Sequence, residues 1–104
     1  QPGLYSWIGF SEYMLLNSLF DSPNKTMTRI DLAESIGRAA SGVTKMLQPM
    51  EKIGLIQKEV GARDARVSLV KISKAGERLF KDATDYSESE FKADIVQAKR
   101  QIVE

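Results

Sequence analysis

The chain has 104 residues, 42% hydrophobic and 28% charged, which is enough for one hydrophobic core and too short for two. Fifteen Lys and Arg against fourteen Asp and Glu leave a net charge of +1, which neither requires nor excludes a polyanionic partner. Cys and His are both absent, so disulfides, thiol chemistry, Cys/His metal sites and imidazole catalysis are excluded.

In chain order, residues 1–9 form a short extension. Its start, Gln1-Pro2-Gly3, lacks an initiator Met and points to a chain that is processed, trimmed or incompletely represented. A first helix is predicted from Phe10 to Phe20, because Tyr13, Leu16, Leu19 and Phe20 recur at helical spacing; Gly9 caps it and Asp21-Ser22-Pro23-Asn24 stops it. The longest apolar run, Tyr13 to Leu16, is far short of the roughly 20 residues of a membrane helix. With no signal-peptide pattern, a soluble cytoplasmic protein without membrane contact is expected. A short extended stretch, Thr26 to Thr28, leads into a second helix, Arg29 to Ile36, with Ile30, Ala33 and Ile36 inward and Gly37 at its end. A third helix, Ala40 to Lys52, turns Val43, Leu47 and Met50 inward and Ser41, Thr44, Lys45 and Gln48 outward, and closes at Gly54. Pro49 lies inside it and predicts a kink beyond the first two turns.

From Leu55 the period changes to two. Leu55 to Val60 and Val67 to Ile72 are predicted strands, joined by Gly61-Ala62-Arg63-Asp64-Ala65-Arg66 as a hairpin with a charged tip. Ser73 can cap a last helix, along which Leu79, Phe80, Ala83, Tyr86, Phe91, Ile95, Ala98 and Ile102 recur every three or four residues. Continuous from Lys74 to Val103, it would span roughly 45 Å. That outruns so small a domain, so its stripe is expected to be a dimer seam, with packing within the chain as the alternative. The predicted fold is α+β, mostly α: a winged helix-turn-helix over residues 10–73, with a two-stranded wing and a long C-terminal helix over 74–104.

Charge is uneven along the chain: −2 over residues 1–24, +3 over 25–66 and zero over 67–104. In a winged helix-turn-helix the third helix offers its start to the major groove and the hairpin reaches a neighbouring one. Ser41, Thr44, Lys45 and Gln48 carry donors for phosphates or base edges, and Gly42 lets a sugar-phosphate backbone come close. At the tip, Asp64 can hold an arginine extended by a bidentate pair, a shape suited to a narrow minor groove. Thr28, Arg38 and Arg63 complete the candidate DNA-binding set. The same outward positions also describe the solvated face of any amphipathic helix, and the tip any hydrophilic turn.

The runs Asp31-Leu32-Ala33-Glu34-Ser35-Ile36-Gly37, Val43-Thr44-Lys45, Met50-Glu51-Lys52-Ile53-Gly54-Leu55-Ile56, Arg63-Asp64-Ala65-Arg66-Val67 and Ile72-Ser73-Lys74-Ala75-Gly76 together resemble the MarR family of transcriptional regulators. The resemblance covers about Phe10 to Asp82. It implies a dimeric, sequence-specific double-stranded DNA-binding regulator, commonly a repressor, on a pseudo-palindromic operator. It also implies Arg66 as the minor-groove arginine, Asp64 as its orienting partner, and Ser41, Thr44 and Lys45 as groove-facing residues. Release by a small aromatic effector is implied as well, with Trp7, Phe10, Tyr13 and Met14 as candidate contacts; aromatics at such spacing equally suit a core.

The family's usual helix before Phe10 is here replaced by Gln1 to Gly9, and its usual helix after the last one is missing or merged with it, so the chain is trimmed or its dimer differs from the common form; Arg38-Ala39 stand where an apolar residue and a Ser or Thr cap are common. Dimerisation is expected through the N-terminal region and the C-terminal helix. A winged-helix protein-binding module without DNA binding is the alternative function. No enzyme, cofactor or metal is expected, because no nucleophile and base stand at a persuasive spacing.

Overall fold

Residues 9–85 and Gln97 are described by the structure, a computed structural model. Helix α1 (Phe10–Phe20) is followed by a 3-10 turn (Pro23–Lys25), strand β1 (Thr26–Thr28), helix α2 (Arg29–Ile36), helix α3 (Ala40–Lys52) and strands β2 (Ile56–Val60) and β3 (Ser68–Ile72). Residues 74–85 are helical and are called α4. The order and architecture are those of a winged helix-turn-helix. The stripe positions Tyr86, Phe91, Ile95, Ala98 and Ile102, and the N-terminal residues up to Ile8, lie outside the described residues.

One apolar core joins every element. Leu15, Leu16 and Leu19 of α1 meet Leu32 and Ala33 of α2, Val43, Leu47 and Met50 of α3, and Leu55, Ile56, Val70, Ile72 and Phe80. No polar or charged residue is buried among the described residues. The inward face of α3 is the predicted one. That of α2 is not: Ile30 is 61% exposed and Leu32 is fully buried. Leu32, Ala33 and Ile36 form the packing stripe, and at about 100° per residue Ile30 sits roughly 200° from Leu32, on the opposite side. Two turns of helix carry too few repeats to separate the two stripes.

Short-range chemistry sets the turns. Thr28 caps α2, its Oγ1 accepting from the Asp31 N–H at 3.0 Å. Gly37 ends α2 in the left-handed region (φ 69°), which lets the Arg38 N–H return to the Ala33 carbonyl at 3.0 Å. No side chain caps α3 at Ala39, as expected from that residue, and α3 runs unbroken through Pro49.

The wing is wider than predicted. Beside the β2–β3 hairpin, β1 pairs antiparallel with the other edge of β3, Met27 opposite Val70, giving the order β1-β3-β2. A three-residue strand whose partner lies more than 40 residues away leaves no local trace beyond its Thr-Met-Thr composition. Leu55, at the base of the hairpin, and Val67, at its tip, fall just outside the strands, and the hairpin closes on the Gly61 N–H, which donates to the Val67 carbonyl at 3.0 Å.

Ser73 alone separates β3 from α4 and caps it: Oγ accepts from the Gly76 N–H at 3.0 Å and donates to the Gly54 carbonyl. Ser73→Ala is expected to lose about 1 kcal/mol, lowering Tm by roughly 4–8 °C. Thermal unfolding followed by circular dichroism checks this, and an unchanged Tm would mean the cap contributes nothing. Further along α4, Phe80 stacks on Tyr13 and Phe20, each with ring centroids 5.1 Å apart, and the Tyr13 hydroxyl bonds to Thr84. Lys25 reaches across to Glu77 at 2.6 Å, so α1, the 3-10 turn and α4 are held together by stacking and one ion pair.

Candidate nucleic-acid interface

The outward face of α3 carries Ser41, Lys45 and Gln48 exposed, with Gly42 and Thr44 half-buried at its edge. Three of the five thus present free polar side chains on the first turns of the helix. Thr44 is differently employed. Its Oγ1 donates to the Ala40 carbonyl at 3.1 Å and accepts from Arg29 Nη1 at 2.7 Å, so its proton is spent on the helix and a lone pair on a neighbouring guanidinium. Thr28 likewise spends its oxygen on capping α2. Arg38 is exposed in the turn before α3, but its Nη2 leans back to the Ser11 hydroxyl of α1.

At the wing tip the predicted pair is formed. Arg66 Nε donates to Asp64 Oδ1 at 3.1 Å and Nη2 to Oδ2 at 3.2 Å, while the Arg66 backbone N–H also donates to Oδ1 at 3.0 Å. The Arg66 side chain is 91% exposed. A two-residue spacing allows this because the tip turns sharply enough to lay the carboxylate beside the guanidinium's fork. Arg63 is exposed on the same tip. The guanidinium of Arg66, and secondly its backbone N–H, hold the Asp64 carboxyl below the ordinary aspartate range.

A lowered folded-state pKa means that the contribution of Asp64 is present at neutral pH and fades as pH falls through that lowered value. Carboxyl NMR titration of Arg66→Ala should move Asp64 upward towards the ordinary range, with a remnant shift from the backbone bond. No upward movement would mean the pair is not formed in solution.

Between the start of α2 and the wing lies a groove of about 450 Å³ lined by Thr28, Arg29, Ile30, Asp31, Arg66, Val67 and Ser68. Of these only Thr28 and Arg66 stand out in the sequence. Arg29 has no motif around it; the available signal was its place in the basic middle segment, directly after a helix cap.

Of the candidate effector contacts, Trp7 lies outside the described residues, Phe10 is 79% exposed at the start of α1, and Met14 is half-buried. Tyr13 stacks within the chain on Phe80, the core role its spacing equally allowed. Among the described residues no group of three His, Cys, Asp or Glu could hold a metal ion, and no helix is long and apolar enough to cross a membrane.

Comparison with known proteins gives the fold a context. Residues 10–68 match the model of the MarR family. A mutant of S. aureus MepR superposes with a TM-score of 0.80 at 22% identity, covering 86% of this chain and 66% of that one. AbsC, a MarR family transcriptional regulator from Streptomyces coelicolor, superposes at 0.77 with 18% identity, over 88% of this chain and 62% of its own. An S. aureus MepR–DNA complex superposes at 0.69 with 23% identity, over 91% and 81%. This chain therefore spans just under two thirds of the length of the first two. No curated protein matches it. At these identities the superpositions establish a shared winged-helix fold.

Proposed function

The chain belongs to the MarR family, and from that premise we propose that it is a sequence-specific, duplex-DNA-binding transcriptional regulator acting as a dimer, of the repressor type. The observation that carries the reading is the wing: a fully presented Arg66 guanidinium, fixed in direction by Asp64, on the molecule whose α3 exposes Ser41, Lys45 and Gln48. Holding an arginine extended before it meets DNA removes ordering cost from the binding step, and a narrow minor groove is where an extended cation gains most. The MepR–DNA complex supports the reading, since it is a chain of this fold on DNA.

The modest charge supports a dimer. A surplus of +3 over residues 25–66 neutralises few phosphates, so one copy binds weakly by counterion release. Two copies about a two-fold axis double the contacts and set paired recognition helices roughly 34–36 Å apart on a pseudo-palindrome. Residues 74–104, which the sequence predicts as one long helix, and the N-terminal region are the proposed contacts between copies.

Sedimentation equilibrium to establish the dimer, followed by fluorescence anisotropy against duplexes selected from a random library, tests the proposal. Saturable binding that weakens steeply with salt is expected. A verified dimer that binds no duplex would overturn it and leave protein recognition as the function of the fold.

A further inference from the structure

Arg29 is the one arginine of the helix-turn-helix that bridges its two helices. It sits at the first position of α2, and its Nη1 reaches Thr44 Oγ1 on α3 at 2.7 Å, 15 residues further on. A hydroxyl is a neutral partner, and among the described residues Arg29 makes no ion pair. Its charge is therefore uncompensated by contact, and four of its five N–H donors are not used by Thr44. Arg29 lines the same groove as Arg66, between the start of α2 and the wing. Arg66 differs in that its charge is already paired with Asp64. The third charge on the groove wall is Asp31, whose N–H belongs to the Thr28 cap.

We propose that Arg29 is a phosphate-binding residue of the DNA interface, tethered by Thr44 so that its free donors face a backbone phosphodiester lying in the groove between α2 and the wing. The proposal rests on the DNA-binding reading above and adds to it a residue, a site and a role. Thr44 becomes a positioning residue: its hydroxyl aims Arg29 instead of reading a base. A planar, multidentate guanidinium suits a phosphate better than a point charge does, and a tether to a packed helix removes much of the freedom of a long side chain. Phosphate contacts fix register without carrying sequence information. Losing Arg29 should therefore weaken binding to all duplexes alike, in contrast to losing a base-reading side chain.

The salt dependence of duplex binding separates these roles. Each phosphate contact contributes about 0.9 to the slope of log affinity against log salt, equivalent to about 3.5-fold in affinity over a fourfold change in salt. Anisotropy titrations of the full chain with a selected and with a scrambled duplex, at four salt concentrations, should give Arg29→Gln a slope lower by about 0.9 per protomer on both duplexes. Arg29→Lys should keep most of the slope, because the charge remains, and Arg29→Met, which also removes the charge and should lower the slope equally, is the second reading should the glutamine substitution unfold the chain. Thr44→Val should keep the slope and lose a few-fold in affinity on both duplexes. An unchanged slope in Arg29→Gln, with the wild type binding normally, overturns the assignment of Arg29 alone. A wild type with no salt-dependent binding overturns the DNA-binding reading and this site with it.

Discussion

Arg66→Ala is expected to weaken binding to the selected duplex by about ten- to a hundredfold per protomer contact while leaving Tm within a degree or so of the wild type. The two halves of that expectation have separate causes. The side chain is 91% exposed and its only partner among the described residues is Asp64 at the same tip, so its removal uncovers no apolar surface and strands no buried polar group. The binding loss comes from removing a cation that is already exposed and held in direction by Asp64. Asp64→Ala should act in the same direction but less, a few-fold, because the charge survives and only its direction is released. Isothermal titration with thermal melts on the same samples reads both quantities. Affinity unchanged in Arg66→Ala would mean the wing does not touch DNA; a large drop in Tm would mean the arginine supports the fold.

Gly76→Ala is the substitution expected to damage the fold most for its size. Gly76 is buried one turn into α4, and a Cβ there would come within 2.2 Å of the Leu55 carbonyl oxygen and 2.9 Å of Ile72 Cγ1. The oxygen belongs to backbone, which cannot swing aside, and that same carbonyl accepts the Ser73 N–H at 3.0 Å. Adding one methyl therefore requires α4 to lift off the sheet or the end of α3 to shift. Overpacking of this kind costs about 1–3 kcal/mol, or roughly 5–20 °C in Tm for a domain of this size. Denaturant unfolding with an unchanged m-value but a lowered midpoint would identify the cause as native-state strain. A Tm equal to the wild type's would show that α4 does not approach Leu55 so closely.

Features decided within a few residues were legible in the sequence. The Ser73 cap, the turn at Gly37, the Asp64–Arg66 pair and the inward row Val43, Leu47, Met50 each rest on partners at spacings of one to five residues, where backbone geometry leaves few choices. The inward face of α2 differs from the sequence pattern at Ile30 because two turns allow two stripes and only the packed neighbours choose between them. What the sequence hid depends on long separations. The pairing of β1 with β3, Arg38 with Ser11, and Arg29 with Thr44 exist only because the three helices close around one core. Thr44 shows the effect on function most plainly: its outward position is correct, but the hydroxyl that would read a base is committed to Ala40 and Arg29.

The junction at Ser73 makes the wing and α4 two arms of one lever. β3 starts beside the tip and hands the chain to α4 after a single residue, with β1 bracing it from the side and Gly76 leaving no clearance at the pivot. From Ser73 to Arg66 is seven residues, about 23 Å of extended chain. A tilt of 10° at the pivot therefore carries the fingertip about 4 Å, nearly the separation of two neighbouring strands. If the proposed dimer is joined through α4, the angle between the two copies of α4 sets the distance between the two Arg66 tips, and a change in that angle alters their spacing without touching either tip.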